Sequence, residues 1–394
     1  MSNEQQEHRA DEAAQKRPKS RVARKLEELA QEAHGLFPIP EAASREYRAK
    51  ISSLAAQVNE SILQSPNVRE LIGSCPVDTI ASNHNNHARF LATVMALGLP
   101  SLLARVVPWV YRAYTAQGVS YEYFRAELKA WKEAVRDQVD DVHADPICRV
   151  YDWMLWHHHD MKGLSLEITE VFPGHVDWSE TRQVLLDSLL AGDSRRLRDK
   201  VEEIAPDAEA LPELYVNVLQ PVMYRVGDMW AEGEVSVSQE HMATALISRV
   251  MAATYERLSI FEPTRGKAVV ACATDEFHEL GARVVADLLE LDGWDVAFLG
   301  ANVPNEDFHH MVSETQPAIV GLSATLPYHL LRVKDILDPL REDQRLDRTR
   351  IMVGGMAFSM APEAAEKVGA DAWARDGKDA RQVAARWHEE GYWD

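Results

Sequence analysis

From Gly266 onwards the chain alternates short apolar or β-branched runs with helical stretches, and few folds accommodate that order. The runs are KAVVACA, WDVAFLG, AIVGLSA, RIMVGG and DAWARDG, separated by stretches such as LGARVVADLLELDG and PNEDFHHMVSETQ. Strands that succeed one another through helices pair in parallel, with right-handed crossovers. A doubly wound α/β domain is therefore expected over residues 264–394. Ligands of such sheets lie beyond the carboxyl ends of the strands. Three segments fall at those ends: TDEFHELG (Thr274 to Gly281), SAT (Ser323 to Thr325) and the pair Gly354-Gly355.

Glu276 and His278 lie two apart on a strand-to-helix loop, so both can face one crevice. A carboxylate bonded to one imidazole nitrogen fixes the tautomer and leaves the other nitrogen as a basic metal ligand. Gly281 leaves room for a ligand where a side chain would block it. Ser323 and Thr325 bring hydroxyls to a later strand end, and Gly354-Gly355 opens a slot at the next. The set suits a long ligand with a metal at one end and a heterocycle threaded between sheet and helix. A surface imidazole without ligand duty is the plain alternative for His278.

The remainder reads as helical. Residues 1–20 form a polar tail with a basic cluster, expected to be disordered. Residues 21–172 carry apolar positions at a 3.6-residue period in about five or six helices, rich in tryptophan (Trp109, Trp131, Trp153, Trp156). Residues 178–262 offer four segments separated by turn-rich breaks, as in an antiparallel bundle. Ser236-Val-Ser-Gln239 is a capping box that starts the fourth and sets Glu240 and His241 in its first turns. Ten residues before Glu240 stands Trp230. An indole can cover an apolar or purine face, and Glu240 and His241 can hydrogen-bond a sugar or base. A core tryptophan beside a helix-capping acid is the plain alternative.

A net charge of −20 argues against non-specific nucleic-acid binding. Three cysteines (Cys75, Cys148, Cys272) without metal or disulfide spacing suit a reducing cytoplasm. No apolar run reaches the length of a membrane helix, and the opening residues do not read as a signal peptide.

E-x-H-x-x-G followed by S-x-T and G-G resembles the Rossmann-like (flavodoxin-like) cobalamin-binding domain of corrinoid proteins in its base-off/His-on form. The resemblance implies His278 as lower cobalt ligand, Glu276 as its hydrogen-bond partner, and Ser323, Thr325, Gly354 and Gly355 along the nucleotide-tail channel. Trp230-x9-Glu240-His241 resembles the helical cap of light-sensing cobalamin proteins, where it shields the adenosyl group. In the light-dependent repressors of that group a histidine follows the tryptophan; here it is Ala231. No helix-turn-helix module is recognisable, so direct DNA binding is not expected.

HARFLATVMALGLPSLLARVVPWVYRAYTAQGVSYEYFRAELKAW looks like globin-type helical sensor domains. The combination resembles the photocobilins and implies adenosylcobalamin, biliverdin and a light-driven conformational change. The N-terminal helices could instead hold haem, through His84, His87 or His157-His158-His159, or form a cofactor-free interaction domain. For biliverdin, the tryptophans are candidate walls, Arg105 and Arg112 candidate propionate partners, and His157-His158-His159 candidates to bond the pyrrole nitrogens. The expectation is a cytoplasmic regulatory protein without a catalytic effector domain, free of membrane contact and signalling to a protein partner, with a homodimer as one possible assembly. The rivals are a corrinoid methyl carrier and a cobalamin sensor without bilin.

Overall fold

The computed structural model describes residues 21–168, 179–258 and 262–391. The tail at residues 1–20 lies outside the described residues, as does the junction at 169–178. The sheet is five-stranded and wholly parallel, in the order β2-β1-β3-β4-β5. Its strands are β1 (Lys267–Cys272), β2 (Asp295–Gly300), β3 (Ile319–Ser323), β4 (Arg350–Gly354) and β5 (Ala372–Ala374). This is one of the two common doubly wound orders, with its switch point between β1 and β3. The register sets Cys272 beside Ser323 and Ser323 beside Gly354, so three strand ends finish in one row.

Alternation along β1 assigns its side chains to two cores. Val269 and Ala271 join a core continuous with that of the N-terminal helices. Ala268, Val270 and Cys272 face the helices Leu280–Leu291 and Gly377–Glu389. The N-terminal helical region and the sheet therefore bury their apolar surface together.

Among the described residues that region contains nine helices rather than five or six. Two of the extra breaks are single residues, Lys50 and His157, and neither is glycine or proline. The longest helix is Val77–Leu97, which packs against the 3-10 turn Pro327–His329 after β3.

Between sheet and N-terminus, the helices Glu180–Ala191, Ser194–Ile204, Gln220–Ala231 and Val237–Leu258 share a third core. The capping box forms: Ser236 Oγ accepts from Gln239 N at 3.3 Å, and Gln239 Oε1 accepts from Ser236 N at 3.1 Å. The third segment departs from a plain helix, because Leu214–Leu219 is π-helical ahead of Gln220–Ala231. Pro221 has no N–H for the carbonyl of Asn217, four residues earlier. Arg182 Nε donates to that carbonyl at 2.8 Å instead.

This segment meets the sheet domain through a buried pair, in which Tyr215 Oη donates to Asp287 Oδ2 at 2.9 Å. Burial pushes the Asp287 carboxyl up to about 6, against the opposing effects of Tyr215 and Arg283. The folded state thus holds a proton that the unfolded chain has released above about pH 4. Stability contributed here is present below about pH 4 and lost as pH rises through about 6. Asp287→Asn should remove that loss. The variant's stability gain over wild type should be near zero at about pH 4 and about 2–3 kcal/mol at about pH 8, read by denaturant titration. A gain that does not vary with pH would contradict the assignment.

Candidate functional site

The loop after β1 is shaped before any side chain acts. Asp275 adopts a left-handed backbone (φ 68°), and its N–H donates to Asn302 Oδ1 at 2.9 Å. That turn carries Glu276 under the strand ends, where it is completely buried. Glu276 Oε1 accepts the backbone N–H of His278 at 3.0 Å and bonds His278 Nδ1 at 2.5 Å. Oε2 accepts the backbone N–H groups of Thr325 at 2.7 Å and Leu326 at 3.3 Å, and bonds His329 Nδ1 at 2.9 Å.

Burial opposes ionisation of Glu276, yet hydrogen bonds from His278 and His329 outweigh it, and the carboxyl is held far below its usual range. For His278, burial lowers the pKa while the bond and charge of Glu276, with a smaller field from Glu240, raise it; the net direction is upward. With Nδ1 bound to Glu276, Nε2 is the free ring nitrogen, and the side chain is 56% exposed. The arrangement is a surface-facing imidazole on a fully buried anionic base.

His329 is the residue that sequence reasoning missed. It is 3% exposed and lies 53 positions from Glu276. Its sequence signal was slight: a histidine six residues after Ser323, in the turn that leaves β3.

His278 opens on a cavity of about 840 Å³. Gly281, Ser323, Thr325, Gly354 and Gly355 line it, as do Trp230, Glu240 and His241. The expected residues thus border one space, with Glu276 behind His278. Glu240 Oε2 bonds His241 Nδ1 at 2.5 Å, and Oε1 accepts from Thr244 Oγ1 at 2.9 Å. His241 is mostly exposed, whereas Ala231, next to Trp230, is buried.

The glycines divide in kind. At Gly355 (φ +95°) a Cβ would stand 2.4 Å from the carbonyl oxygen of Ala324, so the fold itself demands glycine. At Gly281 a Cβ would meet nothing within 4 Å, so the empty space belongs to the cavity.

Other candidates are placed elsewhere. Arg105 donates to the carbonyl of Met360, and Arg112 pairs with Glu232. His157 pairs with Glu32 and Asp160, and His158 bonds Tyr111. His84 is buried between Asn59 and Tyr123. None of these lines the cavity, nor do Trp131, Trp153 and Trp156; Trp109 and His87 do.

Residues 266–385 match the family model described as B12 binding domain, and residues 181–255 match a second model of that description. The chain accordingly carries B12-binding domains, the one at 266–385 in the Rossmann-like fold that its sheet displays and the one at 181–255 in the helices before it. It is 29% identical over 265 residues to the HTH-type transcriptional repressor CarH of Myxococcus xanthus, covering 65% of this chain and 80% of the relative. It is 26% identical over 196 residues to dimethylamine corrinoid protein 3 of Methanosarcina acetivorans, covering 49% of this chain and 90% of the relative. Among solved structures, the Methanosarcina barkeri monomethylamine corrinoid protein aligns with a TM-score of 0.46 and 24% identity, over 51% of this chain and 95% of that one.

The residues present fit such a cofactor. A half-exposed imidazole offers its free nitrogen to the cavity, beside Phe277, which is 70% exposed. An apolar slot walled by Val270, Met352, Gly281 and Val284 runs between sheet and helix.

Proposed function

We propose that this protein is a light-sensing signalling protein that binds adenosylcobalamin, with His278 as the lower ligand of cobalt. Glu276, with His329 behind it, fixes the His278 tautomer and ring angle. Ser323, Thr325, Gly354 and Gly355 border the channel for the nucleotide tail, while Trp230, Glu240 and His241 cover the upper face. Bound in that form, the cofactor supplies a cobalt–carbon bond that light can break. Losing a group held above cobalt would remove a contact of Trp230 and Glu240, and the helix Val237–Leu258 would then be free to repack against the sheet. That displacement is the signal delivered to a partner protein.

The observation that carries the reading is that one cavity holds both His278 and the Trp230-Glu240-His241 set. The cavity also continues among the N-terminal helices, where Phe90, Trp109 and Tyr114 form apolar walls. We assign that lobe to biliverdin, as the second pigment of a photocobilin-like protein.

The test is illumination of the protein loaded with cobalamin and biliverdin, followed by size-exclusion chromatography and limited proteolysis. Green light should change the cobalamin spectrum together with shape or association. Trp230→Ala should at the same time reduce the preference for adenosyl- over methylcobalamin about tenfold, as loss of one well-packed aromatic contact implies. The relatives named as methylamine corrinoid proteins favour a second reading, a methyl carrier. Dark methyl transfer to a thiol or folate in cell extract, with no light-dependent change of shape, would establish that reading instead.

A further inference from the structure

The N-terminal lobe of the cavity contains polar chemistry that cobalt binding leaves unused. Asn83, Asn86 and His87 on the helix Val77–Leu97 line it, together with Glu127 on the helix Tyr121–Gln138. Glu127 is only 6% exposed. Its Oε1 accepts from Trp131 Nε1 at 3.2 Å and stands 3.6 Å from His87 Nδ1. Among the described residues no lysine or arginine pairs with it. Burial, opposed by the Trp131 bond, pushes its pKa up to about 7.

His87 is stacked on Trp131 at 5.1 Å and on Tyr151 at 5.9 Å between ring centres. Burial, with a smaller effect from His84, lowers its pKa to about 3, so the ring is neutral. Among the described residues its Nε2 is buried without a hydrogen-bond partner. With the ring proton on Nδ1, towards Glu127, Nε2 is a waiting acceptor. The other titratable groups nearby supply no charge at neutral pH. Tyr47, Tyr111, Tyr114, Tyr123 and Tyr151 are all raised by burial, and His84 is lowered to about 4.

A buried carboxyl without a cation and a buried acceptor without a donor each leave burial uncompensated. One ligand can satisfy both if it is flat and conjugated, bears N–H groups, and carries positive charge. We propose that this lobe binds a protonated linear tetrapyrrole, with the Glu127 carboxylate as its counter-ion and His87 Nε2 accepting a pyrrole N–H. The proton that an isolated Glu127 would share resides on the pigment, so the pair is charge-balanced. This assignment rests on the biliverdin reading above and adds to it the charge state and the two polar contacts. The competing occupant is haem, with iron on His87 Nε2. Glu127, however, itself lines the cavity rather than being hidden behind His87, so the ligand meets the carboxyl directly.

The experiment uses the full chain co-expressed with a haem oxygenase, with cobalamin present and biliverdin as the probe. In wild type, resonance Raman spectra in H2O and D2O should contain the N–H in-plane mode of a protonated pigment; a neutral pigment would overturn the proposal without any variant. Glu127→Gln should weaken biliverdin retention, and in the pigment still bound the pH at which the red band is lost should fall by about one unit or more, a tenfold change in proton affinity. Glu127→Asp should restore most of that shift. A wild-type pH profile and spectrum in E127Q would overturn the counter-ion role while leaving biliverdin binding intact. No biliverdin uptake by wild type would remove the bilin reading and this proposal together. Haem uptake abolished by His87→Ala would assign the lobe to iron.

Discussion

Replacing His278 with alanine should strip cobalamin from the protein or leave it without an imidazole beneath cobalt. The side chain is more than half exposed, and its Nδ1 is already committed to a fully buried carboxylate. Alanine removes the free nitrogen while leaving the Glu276 network with His329 and two backbone amides. The fold should therefore survive, and the defect should lie in binding. Loss of an outer partner costs roughly 10–100-fold in metal-site affinity, so loss of the ligand itself should reach the upper end of that range or beyond. Absorption spectra after gel filtration test this. An unchanged cobalt–imidazole spectrum in the variant would refute the ligand assignment.

Glu276→Ala should act in the opposite way, mainly on stability. It leaves His329, the N–H groups of Thr325 and Leu326 and the His278 backbone N–H without their acceptor in the interior. Each buried donor left without its acceptor costs about 1–3 kcal/mol, so several together should cost about 3–5 kcal/mol. Glu276→Gln replaces one acceptor oxygen with a donor that faces N–H groups, so it should recover only part of the loss. Urea titration of the cobalamin-free protein reads the effect without involving the cofactor. A wild-type midpoint for E276A would mean that the network is idle.

The strand-helix alternation made the sheet legible, because each strand is a short apolar run bounded by a helix of different period. The TDEFHELG motif was legible because its residues are local, and the capping box for the same reason. His329 was not, because its partnership with Glu276 depends on β3 lying beside β1, a non-local fact. The π-helical turn was hidden because Pro221 near a helix start is ordinary, and only Arg182 from another helix makes the interruption tolerable. The breaks at Lys50 and His157 escaped since neither residue marks a turn by its own geometry. Arg105 and Arg112 were plausible anion partners by charge alone, but each is occupied within the chain.

The helix Val77–Leu97 turns one side to the cavity at Asn83, Asn86 and His87, and another to the turn Pro327–His329. Thr93 Oγ1 donates to the carbonyl of Tyr328 at 3.2 Å, one residue from the imidazole that holds Glu276. One rigid helix thus joins the cavity lining to the turn that supplies His329. A side chain exchanged at Thr93 would remove this bond to the backbone of Tyr328, which lines the cavity and directly precedes the imidazole that holds Glu276.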